Sequence, residues 1–249
     1  GMKIKIINPD MNPEINESML KSARKVITEG TEVVCVCPPA GPRSIDDGFT
    51  REVAVYHILE EIIQSEKEGG YDGYVLACFG DPGRQAAREI TDKPVIGLGE
   101  ASLAFAGMIS DQYSIMTIGS WLRWIYRELI TRCGAQHKVA SMRSISIASE
   151  ESHSNPNYVY GKLLEAAKAA MEEDYAEAIC LGCGVMAPFA EPLQKELGIP
   201  VIDPVAAGVK MVETLVSMNL NNSKAYSYKA PQRPELVNVN GVLNDLFKR

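Results

Sequence analysis

The stretch VLACFG at residues 75–80, with PVI following at 94–96, is matched by CLGCG at 180–184 with PVI following at 200–202. The cysteines Cys78 and Cys183 lie 105 positions apart, and the two PVI runs lie 106 apart. Each unit reads as an apolar strand ending at a cysteine, a helix-length segment and a second short strand. The repeat therefore predicts a chain built from two similar halves.

Short apolar runs alternate with helix-length amphipathic segments throughout the chain. Candidate strands are 3–8, 31–37, 72–78, 94–97, 114–118, 142–148, 177–183 and 200–202. Candidate helices are 12–29, 50–67, 82–92, 100–110, 120–134, 157–173, 187–197 and 204–218. This alternation is typical of βαβ units with parallel sheets. We expect an α/β fold of two similar lobes, each with a mostly parallel sheet of about four strands, related by pseudo-two-fold symmetry.

The two lobes are assigned to separate parts of the sequence. Residues 1–100 together with the polar tail 219–249 are expected to form the first lobe, and residues 101–218 the second. The tail is expected to pack across the surface and to close with a short helix at 240–247.

Composition narrows the class of protein. The chain has 249 residues, of which 46% are hydrophobic and 23% are charged, as in ordinary globular proteins. A net charge of −7 without a basic stripe argues against nucleic acid as a partner. No apolar run approaches the roughly 20 residues that span a bilayer, and the N-terminus lacks a signal-peptide core. We therefore expect a cytoplasmic protein without a membrane partner, with reduced cysteines.

The repeated cysteines are the candidate catalytic residues. A cysteine between a strand end and a helix start lies near unpaired backbone N–H groups and the positive end of a helix dipole. Both features stabilise a thiolate. Two such thiols suit a reaction that removes a proton from one face of a carbon and returns one to the other. The other four cysteines are interpreted as small packing residues: Cys35, Cys37, Cys133 and Cys180.

A metal or redox site is not expected. A structural zinc ion needs four ligands. Besides Cys180-x-x-Cys183, the sequence has one other closely spaced cysteine pair, Cys35-x-Cys37, which lies within a predicted strand. The three histidines show no ligand spacing with either pair.

Further polar groups fall where parallel strands end, which is where ligands bind in open α/β sheets. These strand-end groups are Asn8, Cys78, Thr117 and Cys183. Gly80 and Gly184 follow the two cysteines and allow the backbone to aim N–H donors at a developing oxyanion.

Several motifs together resemble the aspartate/glutamate/hydantoin racemase superfamily, within it the hydantoin and allantoin racemases. They are INP at 7–9, ACFGDPG at 77–83, GLGEA at 97–101 and LGCG-x-M at 181–186. The resemblance covers residues 3 to about 218. It implies two α/β lobes that each contribute one active-site cysteine, a small-molecule substrate, a homo-oligomer, and no metal or organic cofactor.

The sequence departs from parts of the family pattern. The amino-acid racemases usually carry Asn-Thr and Thr-His after their cysteines, where this chain has Phe79-Gly80 and Gly184-Val185. Asp10-Met11 replaces the Asn-Thr that is common in the hydantoin branch, and the fifth strand ends Thr117-Ile118 in place of Thr-Thr. The first departure argues against an amino acid and for a 5-substituted hydantoin or allantoin, and the other two bear on the substituent at ring carbon 5 (C5).

The resemblance and the positions together imply a site and a reaction. The substrate-binding residues are Asn8, Ile45, Phe79, Gly80, Thr117, Gly184 and Val185. The two cysteines act as thiolate base and thiol acid in racemisation at C5. Three alternatives remain: an amino-acid racemase with the same thiols, a maleate-isomerase-like enzyme with a cysteine nucleophile, and a non-enzymatic binding protein.

Overall fold

The computed structural model of the chain describes residues 1–147, 154–232, 235–239 and 241–247. The strands are β1 (Lys3–Ile7), β2 (Glu32–Val36), β3 (Gly73–Leu76), β4 (Val95–Gly97), β5 (Tyr113–Ile118), β6 (Val139–Ile145), β7 (Ala178–Leu181) and β8 (Val201–Ile202). The helices are α1 (Asn16–Arg24), α2 (Gly48–Glu68), α3 (Arg84–Ile90), α4 (Leu98–Ile109), α5 (Arg123–Arg132), α6 (Pro156–Glu173), α7 (Ala190–Leu197) and α8 (Pro204–Ser217). Short 3-10 helices occupy Pro13–Ile15, Gly184–Phe189 and Val242–Phe247.

The strands form two four-stranded parallel sheets with the same order of strands. The first sheet runs β2-β1-β3-β4 and the second runs β6-β5-β7-β8. In each, the first strand of the half lies between the second and the third. The predicted α/β fold with two parallel sheets of four strands is therefore confirmed.

The chain divides into two compact units. The first consists of Gly1–Ala77, Asp81–Gly97 and Val209–Arg249, and the second of Cys78–Gly80 and Leu98–Gly208. Compared with the boundaries expected from sequence, the segment after β3 groups with the second unit and most of α8 with the first. Packing explains both placements, because Phe79 contacts Tyr126 of α5, and Val212 of α8 lies over Gly73 at the start of β3.

The first sheet is covered by α2, whose apolar residues recur at helical spacing. Ile58 and Ile62 are fully buried against Ile7, Tyr74 and Leu76 of the sheet. The start of α2 is fixed by a capping box, in which the Asp47 carboxylate accepts from the Thr50 N–H at 2.8 Å. The helix thereby holds one face of the sheet away from water.

The second sheet has an equivalent covering helix. In α6, the residues Val159, Leu163, Ala167 and Ala170 recur every three or four positions and are buried against β5 and β7. The cap is Asn155, whose side-chain oxygen accepts from the Tyr158 N–H at 3.2 Å.

Most predicted elements differ in their bounds from the strands and helices of the structure, and three of these differences have a visible cause. The helix expected over 12–29 is a 3-10 turn followed by the shorter α1, and the helix expected over 187–197 is a 3-10 turn around Pro188 followed by α7. The strand expected over 142–148 begins at Val139, because pairing with β5, including a register shift at Tyr113/Ser114, sets its start. Residue 148 lies outside the described residues.

The tail after α8 packs on the first unit. The Asn222 amide donates to the carbonyl groups of Thr91 and Lys93 at 2.9 and 2.7 Å. Val242 packs on the core beneath α2, within a 3-10 turn where sequence predicts a helix over 240–247. Residue 240 is outside the described part of the chain.

Across the described residues, the structure contains no helix that is both long enough and apolar enough to cross a membrane.

Candidate functional site

The two cysteines occupy equivalent positions after the third strand of each sheet. Leu76 is the last residue of β3 and Leu181 is the last of β7, so each cysteine comes two residues after its strand. The intervening residue continues the strand pairing in the same way in both halves. The Ala77 N–H donates to Ile7 O at 2.9 Å, and the Gly182 N–H donates to Met116 O at 2.7 Å. The two halves of the internal repeat therefore share this backbone hydrogen bond at equivalent positions.

The turn at Cys183 leads directly into a 3-10 helix. Cys183 has an extended backbone (φ −159°, ψ 140°) and is the N-cap residue, and its carbonyl accepts from the Met186 N–H at 3.0 Å. Gly184 and Val185 therefore supply the leading N–H groups of this helix, which have no acceptor within it. Cys183 is partly exposed, Gly184 is buried and Val185 is partly exposed.

The turn at Cys78 is packed against α5. The Phe79 side chain is buried and meets the Tyr126 ring edge-on, with the ring centroids 5.4 Å apart. Gly80 passes so close to α5 that a Cβ there would lie 2.8 Å from Cγ2 of Ile125. The Phe79 side chain therefore packs against α5, and its role in substrate binding remains a prediction.

Asp81 does not cap the helix after Cys78, although an Asp-Pro pair just before a helix commonly has that role. The helix α3 begins at Arg84, and its N-cap is Gly83 in a left-handed conformation (φ 77°). Asp81 is instead buried, with φ 52°, and its carboxylate lies 3.5 Å from the Arg84 guanidinium. Glycine adopts the left-handed conformation without steric cost, so Gly83 can serve as the N-cap with this backbone.

Asn8 follows β1 as predicted, and it is completely buried. Its amide nitrogen donates to Asn12 O at 3.1 Å and to Asn16 Oδ1 at 2.9 Å, and its Oδ1 accepts from the Asp10 N–H at 3.2 Å. The side chain thus shapes the loop between β1 and α1. Contact with a substrate carbonyl remains a prediction and requires one of these bonds to be exchanged.

The same loop contains an acidic group that the sequence marks only as a departure from the family pattern. The Asp10 carboxylate accepts from the Ile45 N–H at 3.2 Å. Burial raises the pKa of Asp10 to about 6, the Ile45 N–H opposes this rise and the nearby Asp46 adds to it. Ile45 itself is buried. Asp10 therefore connects Ile45, a predicted substrate-binding residue, to the loop that carries Asn8.

Thr117 lies near the end of β5 with its hydroxyl engaged by the protein. Its Oγ1 donates to Gly119 O at 3.2 Å and shares a hydrogen bond of 2.9 Å with Ser144 Oγ. The side chain is buried. Its role in binding a substrate carbonyl remains a prediction.

The remaining cysteines fit their interpretation as packing residues. All six cysteines are thiols. Cys180 is fully buried, its thiol is directed at Ser102 O, and burial raises its pKa strongly. Burial also raises the pKa of Cys35 to about 12, and the neighbouring Cys37 adds to this rise. Within the described ranges, no group of three or more His, Cys, Asp or Glu side chains is arranged to hold a metal ion.

Tyr126 is the functional candidate that sequence reasoning missed. It contacts Phe79 through its ring and donates its hydroxyl hydrogen to Gly182 O at 2.9 Å. Its position in the predicted helix 120–134 carried no local signal, because both contacts are with residues distant in sequence.

Comparison with known proteins agrees with the motifs. A family model described as Asp/Glu/Hydantoin racemase matches residues 4–212. A hydantoin racemase of Pseudomonas sp. (strain NS671) is 39% identical over 95% of this chain and 94% of its own. One from Paenarthrobacter aurescens is 38% identical over 92% and 98%. The solved structure of an allantoin racemase from Klebsiella pneumoniae matches at 37% identity with a TM-score of 0.92, over 99% of both chains. The chain therefore belongs to the Asp/Glu/hydantoin racemase family and is an isomerase of the racemase type.

Proposed function

We propose that this enzyme racemises a 5-substituted hydantoin or allantoin at C5, and that Cys78 and Cys183 are the two groups that transfer the proton. The relatives named as hydantoin racemases and the structural neighbour named as an allantoin racemase support the substrate class. The observation that carries the mechanism is the equivalent placement of the cysteines, each two residues beyond a central parallel strand.

In the proposed reaction one thiolate takes the proton from C5. The electron pair of the broken C–H bond moves into the ring and towards the C4 carbonyl, which gives an enolate-like anion. The second cysteine, as a neutral thiol, donates its proton to the opposite face of C5. The thiol–thiolate pair is thereby inverted. The starting state returns when the new thiol loses its proton to solvent and the new thiolate takes one from solvent.

The anion needs donors where its charge develops. Backbone N–H groups at Gly80, Gly184 and Val185 are proposed for this role. Thr117 is proposed as a side-chain donor that exchanges its bond to Gly119 O for one to the substrate. Asn8 and Ile45 are proposed to line the substrate site, with Asp10 holding Ile45 in place. The proposal requires no metal or organic cofactor, because the ring carbonyl holds the charge.

The test follows loss of the reacting C–H signal by NMR in heavy water, at C5 of the ring compounds and at the α-carbon of the amino acids, together with optical rotation. Conversion of maleate to fumarate is followed by NMR as well. The panel comprises L-5-alkylhydantoins, L-5-arylhydantoins, allantoin, aspartate, glutamate and maleate, with a reaction lacking enzyme to correct for spontaneous exchange. We expect exchange and loss of optical rotation for at least one hydantoin or for allantoin, unchanged after EDTA treatment. Turnover of glutamate or aspartate without any hydantoin, or activity lost with EDTA and restored by zinc, would contradict the proposal.

A further inference from the structure

One side chain of α5 touches the chain neighbours of both cysteines. Tyr126 is buried, with 6% of its surface exposed. Its hydroxyl donates to the carbonyl of Gly182, the residue before Cys183, at 2.9 Å. Its ring packs against Phe79, the residue after Cys78, at 5.4 Å between centroids and an interplanar angle of 73°. All these residues lie in the second unit.

Gly182 is fixed on both sides of its α-carbon. Its N–H donates to Met116 O at 2.7 Å, and its carbonyl accepts from Tyr126. A Cβ at this position would lie 2.5 Å from Met116 O, so the backbone of Gly182 approaches β5 more closely than a residue with a side chain could. The Tyr126 bond therefore restrains the orientation of the Gly182 carbonyl.

That orientation acts directly on Cys183. The Gly182 carbonyl and the Cys183 N–H belong to one planar peptide group. Restraining the carbonyl therefore restrains the peptide plane from which the Cys183 side chain departs, and so narrows the positions open to Sγ.

The ring of Tyr126 acts on the other turn. Phe79 is 1% exposed, and its edge-on contact with Tyr126 is of the kind favoured between aromatic rings. The backbone at Gly80 lies against Ile125, the residue preceding Tyr126. Both contacts locate the segment that begins at Cys78 on the surface of α5.

The geometry points to Tyr126 as a positioning residue that orients the two cysteine turns by two separable contacts, its hydroxyl for Cys183 and its ring for Cys78. The inference rests on the proposed function, since it assigns one thiol to each face of C5. Tyr126 itself exchanges no proton with the substrate.

The two contacts are separated by two substitutions. Tyr126→Phe keeps the ring against Phe79 and removes the hydroxyl that donates to Gly182, whereas Tyr126→Leu removes both the hydroxyl and the ring. The matched control is Tyr113→Phe, a fully buried tyrosine of the same unit whose hydroxyl has no hydrogen-bond partner among the described residues.

The experiment measures C5–H exchange in heavy water for each pure enantiomer. Cys78→Ser first identifies the enantiomer that Cys183 serves. In Tyr126→Phe we expect exchange of that enantiomer to fall about tenfold to a hundredfold and exchange of the other to change less than about threefold, as for a catalytic group displaced by a fraction of an ångström to about 1 Å. Tyr126→Leu should lower both rates, and Tyr113→Phe should lower neither.

Equal loss for both enantiomers in Tyr126→Phe, or no loss for either, would overturn the inference, and this comparison stands alone if Tyr126→Leu fails to fold. If the wild-type enzyme exchanges C5–H and Tyr126→Phe affects both enantiomers equally, only the positioning role of Tyr126 is refuted. A wild-type enzyme that exchanges no hydantoin and no allantoin refutes the proposed function, and the inference with it.

Discussion

The carboxyl group of Asp81 lies directly over the α-carbon of Gly97. A Cβ at position 97 would be 2.1 Å from Cγ and 2.1 Å from Oδ1 of Asp81. Asp81 holds a left-handed conformation (φ 52°), which few non-glycine residues adopt, and it is only three residues from Cys78. The glycine at the end of β4 therefore provides the space that the turn after Cys78 occupies.

Gly97→Ala is predicted to push Asp81 out of this position. We expect a loss of about 1–3 kcal/mol in the free energy of unfolding, as for other overpacked sites, and a fall of at least about tenfold in kcat. Denaturant unfolding and steady-state racemisation measure the two effects. The control is Gly161→Ala in α6, where an added Cβ meets nothing within 4 Å, and helix propensity predicts a gain of about 0.5–1 kcal/mol. Wild-type kcat in Gly97→Ala would contradict the account.

Asp10 makes the stability of the protein depend on pH. Its pKa is raised from 3.8 to about 6, so the folded protein holds this proton more tightly than the unfolded chain does. Ionisation of Asp10 therefore lowers the free energy of unfolding as pH rises from about 4 to about 6, and this loss of stability is complete above that range. Asp10→Asn removes the charge and keeps an oxygen for the Ile45 N–H.

We expect Asp10→Asn to be more stable than wild type at pH 7 by on the order of 2 kcal/mol, and equally stable near pH 3. Unfolding measured by urea across this pH range tests the sign. Asp111→Asn, at an exposed position, is the control and should leave the curve unchanged. A destabilised Asp10→Asn at pH 7 would show that the carboxylate is favourable in the folded protein.

Glu213 has the opposite dependence. Burial raises its pKa, but bonds from Lys210, Thr28 and Thr31 outweigh this effect and lower the pKa from 4.5 to about 2. Its contribution to stability is therefore present above pH 4.5 and lost as pH falls towards 2.

Glu213→Gln is predicted to lower stability at pH 7 by about 2 kcal/mol and to have little effect at pH 2, because hydrogen bonds to a charged group are lost. Thermal or urea unfolding at the two pH values measures this difference. Glu17→Gln removes an exposed ion pair with Arg24 and should change stability by less than about 0.5 kcal/mol. Equal effects of the two substitutions at pH 7 would refute the role of Glu213.

Sequence reasoning succeeded where hydrophobic patterns are strong. The repeat around the two cysteines predicts two parallel sheets with the same number of strands. The long buried faces of α2 and α6 fall where the spacing of apolar residues indicates. Element ends were less predictable, since they depend on tertiary contacts. The first strand residue of β6 is set by pairing with β5, where Ser141 Oγ lies 2.7 Å from Ser114 Oγ.

The surroundings of the cysteines were predicted less well, for a physical reason. The roles of Asp81 and Tyr126 arise from contacts with Gly97 and Gly182, which are 16 and 56 residues away in sequence. By local rules alone, an Asp followed by Pro before a helix indicates a helix cap, a role that Asp81 does not have. Asp81 instead occupies a buried position over Gly97, and no local sequence pattern indicates this contact.

The central claim is that each cysteine serves one face of C5, and enantiomer-resolved exchange in the two serine variants tests it most directly. Cys78→Ser and Cys183→Ser should each abolish racemisation, because a serine hydroxyl is far too weak an acid to become the base near neutral pH. The remaining thiolate can still remove a C5 proton and return a deuteron to the same face. We predict that each variant exchanges one enantiomer only, and that the enantiomer differs between the two variants. Near wild-type racemisation by either variant, or exchange of the same enantiomer by both, would contradict the account.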